Sequence, residues 1–131
     1  MQQEEVLVAL LGKGATVVRY RDETVSRVSV ALGRNKQARI PHNRVVLATG
    51  VLMPEQERFE EFRAGALEQS KEIDLAEVWE IVAGDGEALS LDDLAGLYWT
   101  SPPDPSALVA LALGLDLDSD RFVRGPDGYK P

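Results

Sequence analysis

The sequence predicts an α+β chain: a small antiparallel β-barrel of SH3-like type, a helical segment, and then a winged-helix (helix-turn-helix) module. Three observations carry this expectation. Residues 4–48 break into short apolar runs separated by tight turn signals, as strands do. After Pro54 the apolar spacing lengthens to three or four residues, the period of a helix. The last third then reads helix, proline turn, helix and short hairpin. The expected boundaries are a barrel over 1–50, a linker and helix over 51–72, and the winged-helix module over 73–131.

Val6-Leu7-Val8-Ala9-Leu10-Leu11 is an apolar run that stops at Gly12-Lys13-Gly14, a turn signal. Ala15–Arg21 follows, with Asp22-Glu23 as the next turn. Val25–Leu32 alternates apolar and polar residues, as a half-buried strand does. Gly33-Arg34-Asn35-Lys36 turns into Gln37-Ala38-Arg39-Ile40, and Pro41-His42-Asn43 leads to Arg44-Val45-Val46-Leu47. Five short strands favour a barrel, because closure limits exposed edges. Thr49–Pro54 reads as a linker.

Phe59, Phe62, Ala66 and Leu67 mark the first helix, with Pro54-Glu55 at its start, where proline and acid are favoured. Leu75, Val78, Trp79 and Val82 mark a second, after Asp74. Ser90 caps a third that runs to Trp99, with Asp92 and Asp93 in its first turn. Pro102, Pro103 and Pro105 end it and start a fourth over Ser106–Leu115. Trp79, Tyr98 and Trp99 sit at core spacing.

The 131 residues carry no cysteine, so disulfides and cysteine-held zinc are excluded. Met1-Gln2-Gln3-Glu4-Glu5 is acidic where a secretory leader is basic. No apolar run approaches the ~20 residues of a membrane span. A cytoplasmic protein without membrane contact is expected. The net charge of −8 divides unevenly, at +4 over residues 1–50 and −12 over 51–131. Such a split suggests two modules with different partners, of which only the first attracts polyanions.

The basic half supplies the candidate site. Alternation sets Arg19 and Arg21 opposite Val18 and Tyr20, Arg27 opposite Val28, and Arg39 opposite Ile40. These four arginines then share the outer wall of the barrel, helped by Arg34 and Lys36 in a turn. Guanidinium groups present a planar fork of donors to phosphate, so the wall suits an RNA backbone. The alternative is an ordinary solvated face. No aromatic is clearly interleaved for base stacking, and Tyr20 reads as core.

In the winged helix, Arg121 and Arg124 of the hairpin can touch phosphate or simply be surface charges. The fourth helix holds no basic residue, and Asp116, Asp118 and Asp120 follow it. Sequence-specific DNA reading needs side chains that bond base edges, so it is not expected. A helix apolar all round is normally buried. The Asp116–Asp120 stretch lacks the sixth-position glycine and twelfth-position glutamate of a calcium loop. His42 reads as a turn residue. No nucleophile triad, phosphate loop or dinucleotide fingerprint occurs. No catalytic or metal-binding residue and no cofactor site are expected in this chain.

Asp93-Leu94-Ala95-Gly96-Leu97-Tyr98-Trp99, Ser101-Pro102, Ala107–Leu113, and the hairpin from Phe122-Val123-Arg124 to Gly128-Tyr129-Lys130-Pro131 resemble the N-terminal region of ribonuclease II (RNB) exoribonucleases of the bacterial and plastid-like branch. More weakly, Val6–Leu10, Ala15–Val18 and the span from Arg39-Ile40-Pro41 to Val45-Val46-Leu47 are similar to that family's small barrel. The run Pro102-Pro103-Asp104-Pro105 is richer in proline than the family pattern. The resemblance implies a processive 3′→5′ exoribonuclease that hydrolyses single-stranded RNA to nucleoside 5′-monophosphates. It implies magnesium held by aspartates of a central catalytic domain, none of which is here. Expected partners are single-stranded RNA and the catalytic domain of the same polypeptide. A stand-alone protein-interaction module of winged-helix type is the alternative.

Overall fold

The computed structural model describes residues 1–131 except Lys13, Arg34 and Ser119. The chain is α+β. It divides into two compact units, Met1–Gly65 and Ala66–Pro131.

The first unit holds five antiparallel strands: β1 (Glu5–Leu11), β2 (Gly14–Glu23), β3 (Arg27–Ala31), β4 (Gln37–Pro41) and β5 (Val45–Leu52). They pair in the order β4-β3-β2-β1-β5. A 3-10 turn, His42–Arg44, joins the two end strands. No ladder closes β4 onto β5 among the described residues.

One sheet face packs Leu7, Ala9, Val18, Tyr20, Val28, Val30 and Ile40 into a core. The alternation of β2 and β3 predicts this face correctly. The opposite face is also buried at its centre, by Val6, Val8, Val17 and Ala31. This explains why β1 is an unbroken apolar run rather than an alternating one.

Three boundaries differ from expectation: β3 begins at Arg27, leaving Val25 exposed in the turn before it, and two others have causes in the pairing. β2 continues through Asp22-Glu23, because a register shift between Tyr20 and Asp22 makes Arg21 an extra, bulged residue. Such a bulge re-aims side chains without ending the strand. Thr49–Leu52 belongs to β5 and not to a linker. Leu52 pairs with Glu5, Thr49 Oγ1 donates to the Val6 carbonyl at 2.7 Å, and Gly50 takes φ +75° to carry the irregularity.

Helix α1 (Gln56–Ser70) follows, and the division between the units falls within it. The second unit adds α2 (Leu75–Val82), α3 (Leu91–Tyr98), α4 (Pro105–Leu117) and a hairpin of β6 (Val123–Gly125) and β7 (Gly128–Lys130). Ser90 caps α3 as expected, and the structure adds caps at Asp74 and Asp104. Asp74 accepts from Glu77 N, and Ser90 and Asp93 form a reciprocal capping box. Asp104 caps α4, with Pro105 in its first turn.

Every residue from Val109 to Leu115 is buried, which accounts for a helix without a polar face. Of the three aromatics expected in the core, Tyr98 and Trp99 are half-buried, while Trp79 is 36% exposed. The buried stripe of α2 is Leu75, Val78 and Val82. Trp79 stands beside that stripe, not in it. No helix among the described residues is long and apolar enough to cross a membrane.

Leu89, between α2 and α3, forms a two-way backbone bridge with Tyr129 of β7, at 2.8 Å each way. The neighbouring Gly128 has φ +119°, and a Cβ there would lie 2.5 Å from the Leu89 carbonyl oxygen. We predict that Gly128→Ala lowers the stability of the second unit by about 1–3 kcal/mol, measured by chemical denaturation, because side chain and backbone both conflict. A wild-type midpoint would refute this.

Asp104 gives a second prediction. Its carboxyl is held below the usual range, mainly by the Ala107 N–H and then by the Ser106 hydroxyl. A depressed carboxyl stabilises the fold above its unfolded pKa and loses that effect as pH falls through the folded value. Asp104→Ala is therefore expected to cost about 1 kcal/mol at neutral pH, and the difference from wild type should shrink on acidification below the ordinary carboxylate range.

Candidate nucleic-acid interface

The β3–β4 hairpin carries the exposed cations of the sheet. Ser29 stands directly opposite Arg39, and Arg27 opposite Pro41. Arg27 and Arg39 are therefore diagonal neighbours on one face, a relation that separates Cα atoms by about 7–8 Å. Both are exposed. No ion pair holds either among the described residues. Lys36 is also exposed, at the hairpin end where its carbonyl accepts from Leu32 N at 2.9 Å. Arg34 of the same turn lies outside the described residues.

Arg19 differs from its expected placement. It lies on the face opposite Val18 and Tyr20, as alternation requires, but that face is covered at this position. Arg19 is only 3% exposed. Its Nη1 donates to the Met53 carbonyl at 3.1 Å, the Pro54 carbonyl at 3.3 Å and Glu4 Oε2 at 3.3 Å. Its Nη2 donates to Gln56 Oε1. The guanidinium carbon stacks 4.6 Å from the centre of the Phe59 ring, and Phe59 is fully buried. Arg19 ties the sheet to the start of α1 and presents nothing to a ligand.

Arg21 is half-buried and pairs with the other oxygen of Glu4. The expected row of four arginines thus separates into a buried member, a paired member and two free ones, Arg27 and Arg39. Sequence reasoning passed over Arg44, which is exposed at the end of the 3-10 turn. The excess of cations over acids in residues 1–50 was the signal for it.

In the second unit, Arg121 pairs with Asp118 at 2.8 Å. Arg124 is exposed on β6 opposite Tyr129. Burial pushes the Tyr129 hydroxyl above its usual pKa, and the Arg124 guanidinium works against that shift.

His42 is a staple of the turn. Its Nε2 lies 2.8 Å from the Thr24 carbonyl, and its Nδ1 lies 3.6 Å from Glu23. Tyr20 donates to the same carboxylate at 2.9 Å, and burial, then Glu23, raises the Tyr20 pKa. No group of three metal-ligating side chains occurs among the described residues.

The arrangement provides two adjacent guanidinium forks on one exposed sheet face, with Lys36 exposed at the end of the same hairpin. It can hold phosphates by charge and hydrogen bonding, and it contains no acid–base pair aimed at a reacting atom. Comparison with known proteins finds no matching family model, no matching curated protein and no matching solved structure.

Arg19→Ala is predicted to destabilise the first unit by about 3–5 kcal/mol, since it removes the donor shared by Glu4 Oε2 and the Met53 and Pro54 carbonyls and empties the space over Phe59. Arg19→Lys should restore little, because an ammonium lacks the planar fork. Arg27→Ala and Arg39→Ala should leave stability within about 0.5 kcal/mol. Denaturant midpoints of the four variants check this ordering. Equal midpoints across the set would contradict it.

Proposed function

We propose that this chain is the RNA-guiding N-terminal region of a ribonuclease II-like 3′→5′ exoribonuclease, with Arg27, Lys36 and Arg39 holding the phosphates of single-stranded RNA. The observation that carries the RNA contact is the pair of exposed, unpaired guanidinium groups placed diagonally across β3 and β4. A phosphate chain offers closely spaced negative charges to such a pair, and arginine forks bind them with geometric preference.

Two features support the finer fold. The order β4-β3-β2-β1-β5, with a 3-10 turn between the end strands, is consistent with a small SH3-like barrel. The succession α2, Leu89, α3, α4 and the β6–β7 hairpin, with Leu89 bridged to Tyr129, is consistent with the order expected of a winged helix. The residues Asp93–Trp99, Ser101-Pro102 and Phe122–Pro131 that resemble the ribonuclease II family fall on α3, the turn after it, and the hairpin.

The second unit does not share the RNA role. Its residues carry four Lys or Arg against fourteen Asp or Glu, and α4 is buried from Val109 to Leu115. A buried helix without donors does not read base edges. Hydrolysis and its magnesium belong to the catalytic domain of the resembled enzymes.

Fluorescence anisotropy of a labelled oligouridylate, at stepped salt concentrations, tests the proposal. Affinity should fall with salt along a log–log slope of about −0.7 per phosphate contacted. Arg27→Ala combined with Arg39→Ala should weaken binding and flatten the slope by about 1.4. Unchanged affinity and slope in that fully folded double variant would remove this face from the RNA path.

A further inference from the structure

We infer that the second unit carries a docking groove for a lysine- or arginine-flanked apolar segment of another protein, set between α3 and the start of α4. The groove encloses about 440 Å³, enough for one or two side chains of a partner. Its apolar lining includes Gly96, Trp99, Pro102, Pro103 and Leu108, and Asp92 is its charged member.

Contacts and prolines constrain the walls. Trp99 closes α3, with its N–H on the Ala95 carbonyl at 2.9 Å, and its ring meets Tyr98 edge-on at 5.0 Å. The Tyr98 hydroxyl is fixed in turn, accepting from Asp74 N at 3.2 Å. Prolines form much of the other wall, so little freedom remains to be lost when a segment docks.

Charge specifies the occupant. Asp92 is exposed, and among the described residues no hydrogen bond or ion pair engages its carboxylate. Asp104, next to the lining residue Pro103, is exposed and held ionised by the Ala107 N–H. None of the lining residues is cationic, and the unit around them has a net charge of −10. A field of one sign beside a low-dielectric wall selects the opposite sign. An acidic segment or a nucleic acid is repelled there, whereas an apolar side chain flanked by cations satisfies both surfaces.

The helix also offers a clean block. Gly96 lines the groove, has ordinary backbone angles, and a Cβ on it meets nothing within 4 Å. A larger residue there adds bulk inside the groove without disturbing α3.

Short peptides alternating lysine with leucine or phenylalanine are the probes, with glutamate-for-lysine versions as controls. Binding to the whole chain is followed by the Trp99 indole N–H resonance. The lysine peptides should shift it saturably, and the glutamate peptides should not. Gly96→Leu should weaken that binding about tenfold or more, with the fold verified by its amide spectrum. Asp92→Asn should weaken it several-fold while removing part of its salt sensitivity. Equal response to both peptide series, no response to any, or an unchanged affinity in Gly96→Leu would each overturn the inference. None of these outcomes depends on whether the β3–β4 face binds RNA.

Discussion

The first unit is organised around one buried guanidinium. Arg19 collects the carbonyls of Met53 and Pro54, the carboxylate of Glu4 and the amide of Gln56, and it stacks on Phe59. These groups come from three separate stretches of chain: the entry to β1, the exit from β5, and the first turns of α1. A buried charge is tolerated only when it is paired and hydrogen-bonded. Once Arg19 is fixed in β2, its partners must converge on it. Glu4 adopts φ 69° to do so, held by its own N–H on Tyr20 and its carbonyl on Met53 N, each at 2.9 Å. That single residue then supplies one carboxylate oxygen to Arg19 and the other to Arg21.

This internal use of cations determines what remains for ligands. Two of the arginines that alternation assigns to an outer wall are engaged with Glu4, and the ones left open are Arg27 and Arg39, at the far side of the sheet. The basic character of the N-terminal half therefore has two origins. Part of it organises the fold, and part forms a compact surface on β3 and β4. The acidic second unit is different in kind, with a core built on α4 and carboxylates that cap its helices.

Much of this was legible in the sequence. Ser90, with Asp92 and Asp93 in the first turn behind it, announces the start of α3 by capping chemistry alone. The uniformly apolar α4 announces its burial. Period-two spacing places Arg27, Ser29 and Arg39 on one face. The fate of Arg19 was less legible because alternation assigns a face and says nothing of what covers it. The clue lay one strand away: β1 is apolar at every position from Val6 to Leu11, so both of its faces are covered, and Arg19 pairs with Val6. The bulge at Arg21 and the extension of β5 past Gly50 depend on pairing between distant segments, which local pattern does not contain. Trp79 shows the limit of helical spacing, since a position beside a buried stripe shares its period without sharing its burial.

We propose that burial divides the arginines of the sheet into those that hold the fold and those that hold RNA. Resonances of the arginine Nε–H groups report on the two sets directly during titration with oligouridylate. The Arg27 and Arg39 signals should move progressively with added RNA while the Arg19 signal stays in place. Movement of Arg19 with Arg27 and Arg39 unaffected would contradict that division.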